Sequence, residues 1–242
     1  MTRIDPLRRR TLGGLIGLPA LATFAGCAST ASMPPPPGAD PLPTPQLRPG
    51  GRWRYRLLNR YNGTTITNAV AEVLAASPEL RVRVDLGEGR PSLLERYASP
   101  WVAIEESVFD TPIFFESPMP VVPAGLGAGQ SLRSSARYRS PVAPFALAWQ
   151  QTLTARGWER VAVPAGEFDA LRVERLIWFQ HPDTFRNASE RTDVLWYAPQ
   201  VGRWVRREWT GSYHEAGGLG RGARFREDWI VWELTGWEPA AR

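Results

Sequence analysis

The chain has 242 residues, 43% of them hydrophobic, with 29 basic side chains that are all arginine, 24 acidic ones, two histidines and a single cysteine. One cysteine excludes an internal disulfide framework, and two histidines with no cysteine partners leave few ligands for a structural zinc site. The formal charge is +5, but Arg3, Arg8, Arg9 and Arg10 crowd the start of the chain, so the remainder is close to neutral and shows no basic footprint for nucleic acid.

The start reads in three zones: those arginines, an apolar run from Leu12 to Phe24 broken by Gly13, Gly14, Gly17 and Pro19, and the small pair Ala25-Gly26 before Cys27. This is the order of a signal peptide. The run of about 13 residues is short of the roughly 20 that a spanning helix needs, so a transmembrane anchor is not expected. Phe24-Ala25-Gly26-Cys27 resembles the lipobox of bacterial lipoproteins, with Phe24 where Leu is usual. That resemblance implies cleavage between Gly26 and Cys27, acylation of Cys27 with palmitate-type chains, and attachment to the membrane. Ala28, rather than Asp, after the cysteine implies the outer membrane, with the protein facing the periplasm. An ordinary signal peptide that leaves or loses an unpaired thiol is the alternative. Arg8-Arg9-Arg10-Thr11-Leu12 resembles a twin-arginine signal, so the export route stays open between that and the general one.

Residues 1–26 are thus expected as signal peptide, 27–51 as lipidated cysteine and linker, and 52–242 as one globular domain. The linker holds the run Pro34 to Pro37 and almost no large apolar residue before Trp53. It is expected as a semi-rigid spacer, reaching about 70 Å from the membrane at about 3.1 Å per residue in polyproline II; a floppy tail is the alternative.

Period-2 alternation dominates the domain. Trp53, Tyr55 and Leu57 share one face against Arg52, Arg54 and Arg56, and Asn62-Gly63 is a hairpin turn leading to a strand over about Thr64 to Ala75. Leu80, Val82 and Val84 then alternate with Arg81, Arg83 and Asp85. The Pro- and Gly-rich middle, Pro91 to Pro144, is expected to carry short strands at Trp101 to Ile104, Phe109 to Phe115 and Ser131 to Arg139. Gly125, Gly127 and Gly129 lack the βαβ context of a phosphate loop and read as a plain loop. From Leu147 onward long alternating segments return. The fold class is mainly β: a single curved antiparallel meander of about ten strands, clam or barrel-like, with a few short helical pieces covering one face and closure sheltering the edges.

Eleven tryptophans in one chain fit a β core with aromatic cross-strand pairs. The sharper alternative is an aromatic cleft for an apolar ligand, with Trp178, Trp196, Tyr197 and Trp204 as its candidate lining. Trp196 and Tyr197 must point to opposite faces of their strand.

Two stretches, "VAVPAGEFDALRVER" (Val161 to Arg175) and "VLWYAPQVGRWVRRE" (Val194 to Glu208), resemble the V-P-A-G-x-F and W-Y-x-P-x-x-G motifs of an uncharacterised proteobacterial envelope lipoprotein family with a β-meander domain. The motifs are turn chemistry: Pro164-Ala165-Gly166 and Pro199 to Gly202 each reverse the chain. The resemblance implies a fold and transfers no active site.

No catalytic constellation is legible. His181 and His214 each sit in an expected loop beside a carboxylate, Asp183 and Glu215, without metal-site spacing. Glu105-Glu106 reads as a solvated turn or strand edge, and "GGLGRG" at 217–222 as a hairpin loop. The expectation is a non-catalytic, membrane-anchored envelope lipoprotein with no cofactor or metal, binding an apolar envelope component or a protein partner. The alternatives are a purely structural scaffold and an envelope hydrolase that would place a histidine in a cleft within reach of a serine or carboxylate.

Overall fold

The computed structural model describes residues 32–87, 89–106, 112–215 and 222–240; the signal segment, Cys27 and residues 217–221 of the glycine-rich loop lie outside them. The strands are β1 (Arg52–Asn59), β2 (Thr65–Ala75), β3 (Leu80–Asp85), β4 (Leu93–Ser99), β5 (Val102–Glu106), β6 (Ile113–Pro120), β7 (Ser131–Arg139), β8 (Leu147–Val163), β9 (Gly166–Phe179), β10 (Arg186–Ala198), β11 (Arg203–Glu215), β12 (Arg224–Arg226) and β13 (Ile230–Glu238). Each strand from β1 to β11 lies antiparallel beside the next; β11 pairs with β13, and β13 returns to β1 in register from Arg52↔Glu238 to Asn59↔Ile230. The result is a closed, twelve-strand antiparallel meander barrel, with β12 supplementary on the edge of β11. Closure removes the sheet edges, as expected.

The turns follow their residues. Gly63, Gly166 and Gly202 take positive φ (71°, 128° and 71°) in the Asn62-Gly63, Pro164-Ala165-Gly166 and Ala198-to-Gly202 turns, where a side chain would be strained. Two expectations are corrected. The sheet has more than ten strands, because Leu93–Ser99 pairs across the Pro/Gly-rich middle. No helix covers a face: among the described residues there is none. The β6–β7 ladder holds only two pairs, Phe114↔Arg139 and Phe115↔Tyr138, because Pro118 and Pro120 bring no N–H to it. Gln151 Nε2 reaches from the interior to the Pro120 carbonyl instead, at 2.6 Å.

The expected spacer is corrected as well, since from Met33 to Gly51 the chain is a strap across one barrel end. Met33 bridges to Trp158 on β8; Leu42 donates its N–H to the Leu126 carbonyl and accepts from Gly125. Gly50 and Gly51 pair with Val73, and Ala39 and Leu42 are 4% and 3% exposed. A proline run cannot join a ladder, yet its few apolar side chains fit the open end of a barrel, which a linear reading does not supply. The described residues from 32 onward thus form one compact unit.

An eight-strand barrel is just filled by ordinary side chains, so twelve strands demand larger ones. Seven of the eleven tryptophans supply them: Trp53, Trp101, Trp149, Trp158, Trp204, Trp209 and Trp232 are buried. At the strap end Trp101 packs edge-on against Trp53, Tyr97 and Trp204, with ring centroids 6.1, 5.0 and 5.1 Å apart. Trp101 holds φ 60° there, its carbonyl taking the N–H groups of Val121 and Val122 and its Nε1 donating to Gly202. The outer face carries ion-paired rows such as Arg52–Glu72–Arg83, Arg54–Glu238 and Arg156–Glu174–Arg172. A barrel spanning a bilayer would instead present an apolar band about 25 Å tall.

Candidate binding mouth

The inward positions of five strands carry charge. Arg175 of β9 donates to Glu106 of β5 at 3.0 and 3.1 Å and to Asp193 of β10 at 2.8 Å. Arg207 of β11 donates to Glu106 at 2.7 Å and to Asp193 at 2.9 and 2.7 Å, and Gln151 accepts from Arg175 at 3.2 Å. Toward the strap, Arg203 of β11 donates to Glu95 of β4 at 2.8 Å, and Tyr97 donates to the same carboxylate at 2.9 Å. Arg175 and Arg207 share Glu106 and Asp193 while Arg203 has Glu95, and the two clusters together are neutral.

Burial pushes the Glu106 carboxyl up, but Arg175 and Arg207 outweigh it and hold the group down at about 2. Burial also opposes charge on Arg175, Arg203 and Arg207; Glu106, Asp193 and Glu95 overcome it and leave all three above the ordinary arginine value. The Arg203 guanidinium lies 4.0 Å from the centroid of Trp204, using the ring face where it lacks a hydrogen-bond partner. This middle layer is filled with paired charge and aromatic rings.

The opposite end is built differently. β12 and β13 are two pieces of one strand on the edge of β11: Ser212↔Arg226 and Trp209↔Ile230 are in register, so Glu227, Asp228 and Trp229 face only Thr210 and Gly211. The extra residue makes a bulge, a device that re-aims a side chain. Here it turns Glu227 inward. Gly211 clears its way, since a Cβ at that position would collide with Glu227 Oε2 and come within 2.8 Å of Arg191 Cγ. Glu227 Oε2 is bonded by Arg191 Nε. Glu227 Oε1 is buried with no hydrogen-bond partner among the described residues, and Arg186 Nη1 stands 3.7 Å from it.

That carboxylate borders a cavity of about 450 Å³, where an apolar wall that includes Leu57, Ile66, Leu93, Trp209 and Trp232 meets the polar side chains Arg186, Arg191, Tyr213, Arg226 and Asp228. Its size and mixed lining are those of a small-molecule site. A shallower groove of about 740 Å³ crosses the rim over β8 to β11, where Phe145, Leu147, Trp178 and Phe179 meet His181, Arg186 and His214. Arg186 lies between the two.

The four aromatic candidates do not share a cleft. Tyr197 and Trp204 are 1% exposed inside the strap end, whereas Trp178 is 43% exposed on the outer face in the rim groove. Trp196 also faces out, its Nε1 donating to Glu159 and its ring against Arg172 and Arg206. Trp196 and Tyr197 do point to opposite faces, as the alternation required. Glu105 and Glu106, expected on a solvated edge, are 7% and 1% exposed: Glu106 points into the barrel, while Glu105, on the opposite face of β5, lies across from Arg96 and Phe114, and burial raises its carboxyl against the opposing Arg96. His181 and His214 both line the rim groove. Burial and Arg186 lower the His181 imidazole, whose Nδ1 accepts the Asp183 N–H at 3.0 Å. His214 Nδ1 lies 3.3 Å from the Gly222 carbonyl, and Ser212 donates to Glu190. The described residues thus pair no serine with a histidine, and no three metal-type ligands gather among them.

Sequence reading passed over Glu227 and the interior charges. The signal for the charges was present: Arg175, Asp193, Arg207 and Glu95 each occupy an apolar parity position, as in Val173-x-Arg175-x-Ile177 and Leu93-x-Glu95-x-Tyr97. For Glu227 the only trace is the break in alternation at Glu227-Asp228.

No protein-family model and no curated protein matches the chain. Among solved structures, a candidate exported protein with a YmcC-like fold from Bacteroides fragilis superposes with a TM-score of 0.51, at 14% identity, over 81% of this chain and 98% of that one. A candidate lipoprotein from Parabacteroides distasonis gives 0.46 at 12% identity over 81% and 97%. The likeness to the first is one of fold.

Proposed function

We propose that this protein is a non-catalytic envelope lipoprotein, held to the membrane by acyl chains on Cys27, whose barrel binds an apolar envelope component or partner at its open mouth. The observation that carries the reading is the asymmetry of the barrel. One end is strapped, and the middle is filled with charge pairs and indoles, while the other end opens on a cavity where an apolar wall meets charged side chains. The lipobox-like Phe24-Ala25-Gly26-Cys27 supports the anchor, with the outer membrane facing the periplasm as its place. The strap leaves only residues ahead of Ser32 as spacer, so the barrel works close to its anchor.

Two measurements test this. The full chain should incorporate labelled palmitate and fractionate with membranes, and Cys27→Ser should lose both; a Cys27→Ser protein that still fractionates with membranes refutes the anchor. Native mass spectrometry of residues 31–242, secreted without the cysteine and purified without detergent, should show a stoichiometric small ligand. A clean apo mass there favours a purely structural scaffold.

A further inference from the structure

We infer a second binding surface on the outer wall of the barrel: a strip over β7 to β10, centred on Trp178, that takes a carbohydrate chain. It lies outside the mouth cavity and does not depend on what that cavity holds.

Two outward tryptophans are covered by their neighbours. Trp196 lies against Arg172 and Arg206 and donates to Glu159; Trp229 lies against Arg60 and Tyr61 and donates to Glu208. Trp178 is bare. It is 43% exposed, the most of any tryptophan, and no ring, cation or hydrogen-bond partner meets it among the described residues. A single exposed apolar side chain needs no explanation by itself. Its surroundings give it one.

Across the sheet Trp178 is in register with Gln150 of β8 and Ser135 of β7 on one side, and with Glu190 of β10 and Ser212 of β11 on the other. Leu176, two residues back on the same face and 40% exposed, lies between Thr152 and Thr192. An apolar strip one side chain wide is thus bordered by hydroxyl, amide and carboxylate groups, one strand spacing of about 4.8 Å away on either side. Toward the strap the same face turns to ion pairs, with Glu174 held by Arg156 and Arg172. The rim groove and a second groove of about 480 Å³ meet at the strip, sharing Trp178 and Gln150 on their linings. Phe145, 52% exposed on the rim groove, offers a further ring face. Ser212 and Arg224 hold Glu190 in place, while Ser135, Gln150 and Asn187 are exposed and make no side-chain hydrogen bond among the described residues.

A pyranose ring has the same division as this strip, with C–H groups on its face and hydroxyls around its edge. Laid on Trp178, its face covers the indole, and its hydroxyls donate to Glu190 and the Gln150 carbonyl and accept from the Gln150 amide. An acyl chain would cover the strip but press its flanks against polar groups. An extended peptide would need an open strand edge, and β8, β9 and β10 are each paired on both sides. The row from Ser135 to Ser212 crosses about 19 Å at the ordinary strand spacing, room for a chain of linked rings.

The test is calorimetric titration of secreted residues 31–242 with cellohexaose, chitohexaose and maltohexaose. We expect saturable binding of at least one of the three. Trp178→Ala should weaken it at least about tenfold, and Gln150→Ala about threefold or more. Trp196→Ala, on the same outer wall but covered by arginines, should leave it within about twofold. Circular dichroism confirms that each variant is folded. No saturable binding of any of the three, or binding that Trp178→Ala leaves within about twofold, overturns the inference. An equal loss in Trp196→Ala overturns it too, because the contact would then belong to the outer wall in general.

Discussion

Replacing Glu106 by Gln tests the interior charge layer most directly. The carboxylate accepts three hydrogen bonds, two from Arg175 and one from Arg207, and with Asp193 it balances two fully buried guanidiniums. Glu106→Gln leaves Asp193 alone facing both, with one positive charge uncompensated. Removing one partner of a buried charge pair costs about 3–5 kcal/mol, a large part of the roughly 5–15 kcal/mol that holds a typical domain together. With a urea dependence of about 2 kcal/mol per molar, the unfolding midpoint followed by tryptophan fluorescence should fall by about 2 M. Acid gives an independent reading. The carboxyl sits at about 2 when folded against an ordinary 4.5, so it contributes about 3 kcal/mol that is fully present above pH 4.5 and is lost as pH falls toward 2. The wild type should lose stability across that window, and Glu106→Gln should lose less. Exchanging all four charges for Met and Leu of similar volume should cost little or even stabilise, because no charge is then buried. A single-variant cost under about 1 kcal/mol, or an unchanged acid slope, would show that the layer is wetter and weaker than its geometry implies.

Other outcomes follow from the strap and the surface. Leu42→Ala should cost about 2–4 kcal/mol by thermal unfolding, since Leu42 is 3% exposed against the barrel end; a free spacer would show no change. Gly202→Ala should destabilise by about 1–2 kcal/mol and quicken proteolysis of the strap, because φ is +71° and the new Cβ would stand 3.1 Å from Leu47. A protease pattern like that of the wild type would detach the strap from this turn. By contrast, Glu238→Gln, which breaks the exposed pair with Arg54, should move the urea midpoint by an amount worth less than about 1 kcal/mol.

Local chemistry was readable in the linear chain because it depends on neighbours. Alternation in Trp53-x-Tyr55-x-Leu57 and Leu80-x-Val82-x-Val84 marks strands by side-chain parity alone. Asn62-Gly63, Pro164-Ala165-Gly166 and Pro199-to-Gly202 mark turns by their φ requirements. The surplus of tryptophan announced a large β core. What joins distant positions was not readable. Residues 52–59 and 230–238 close the barrel only because the accumulated twist and tilt of twelve strands bring them edge to edge. Met33 to Gly51 looks like a spacer until a barrel end exists for Leu42 to fill. Arg175 or Asp193 on an apolar parity is a contradiction in one strand, resolved by a partner on another. Glu227 is surface-like in sequence, and becomes an interior acceptor only because a bulge two strands from its salt-bridge partner turns it inward over Gly211. Secondary structure here belongs to the sequence; burial of charge, and with it the candidate site, belongs to the tertiary fold, because both depend on which strands become neighbours.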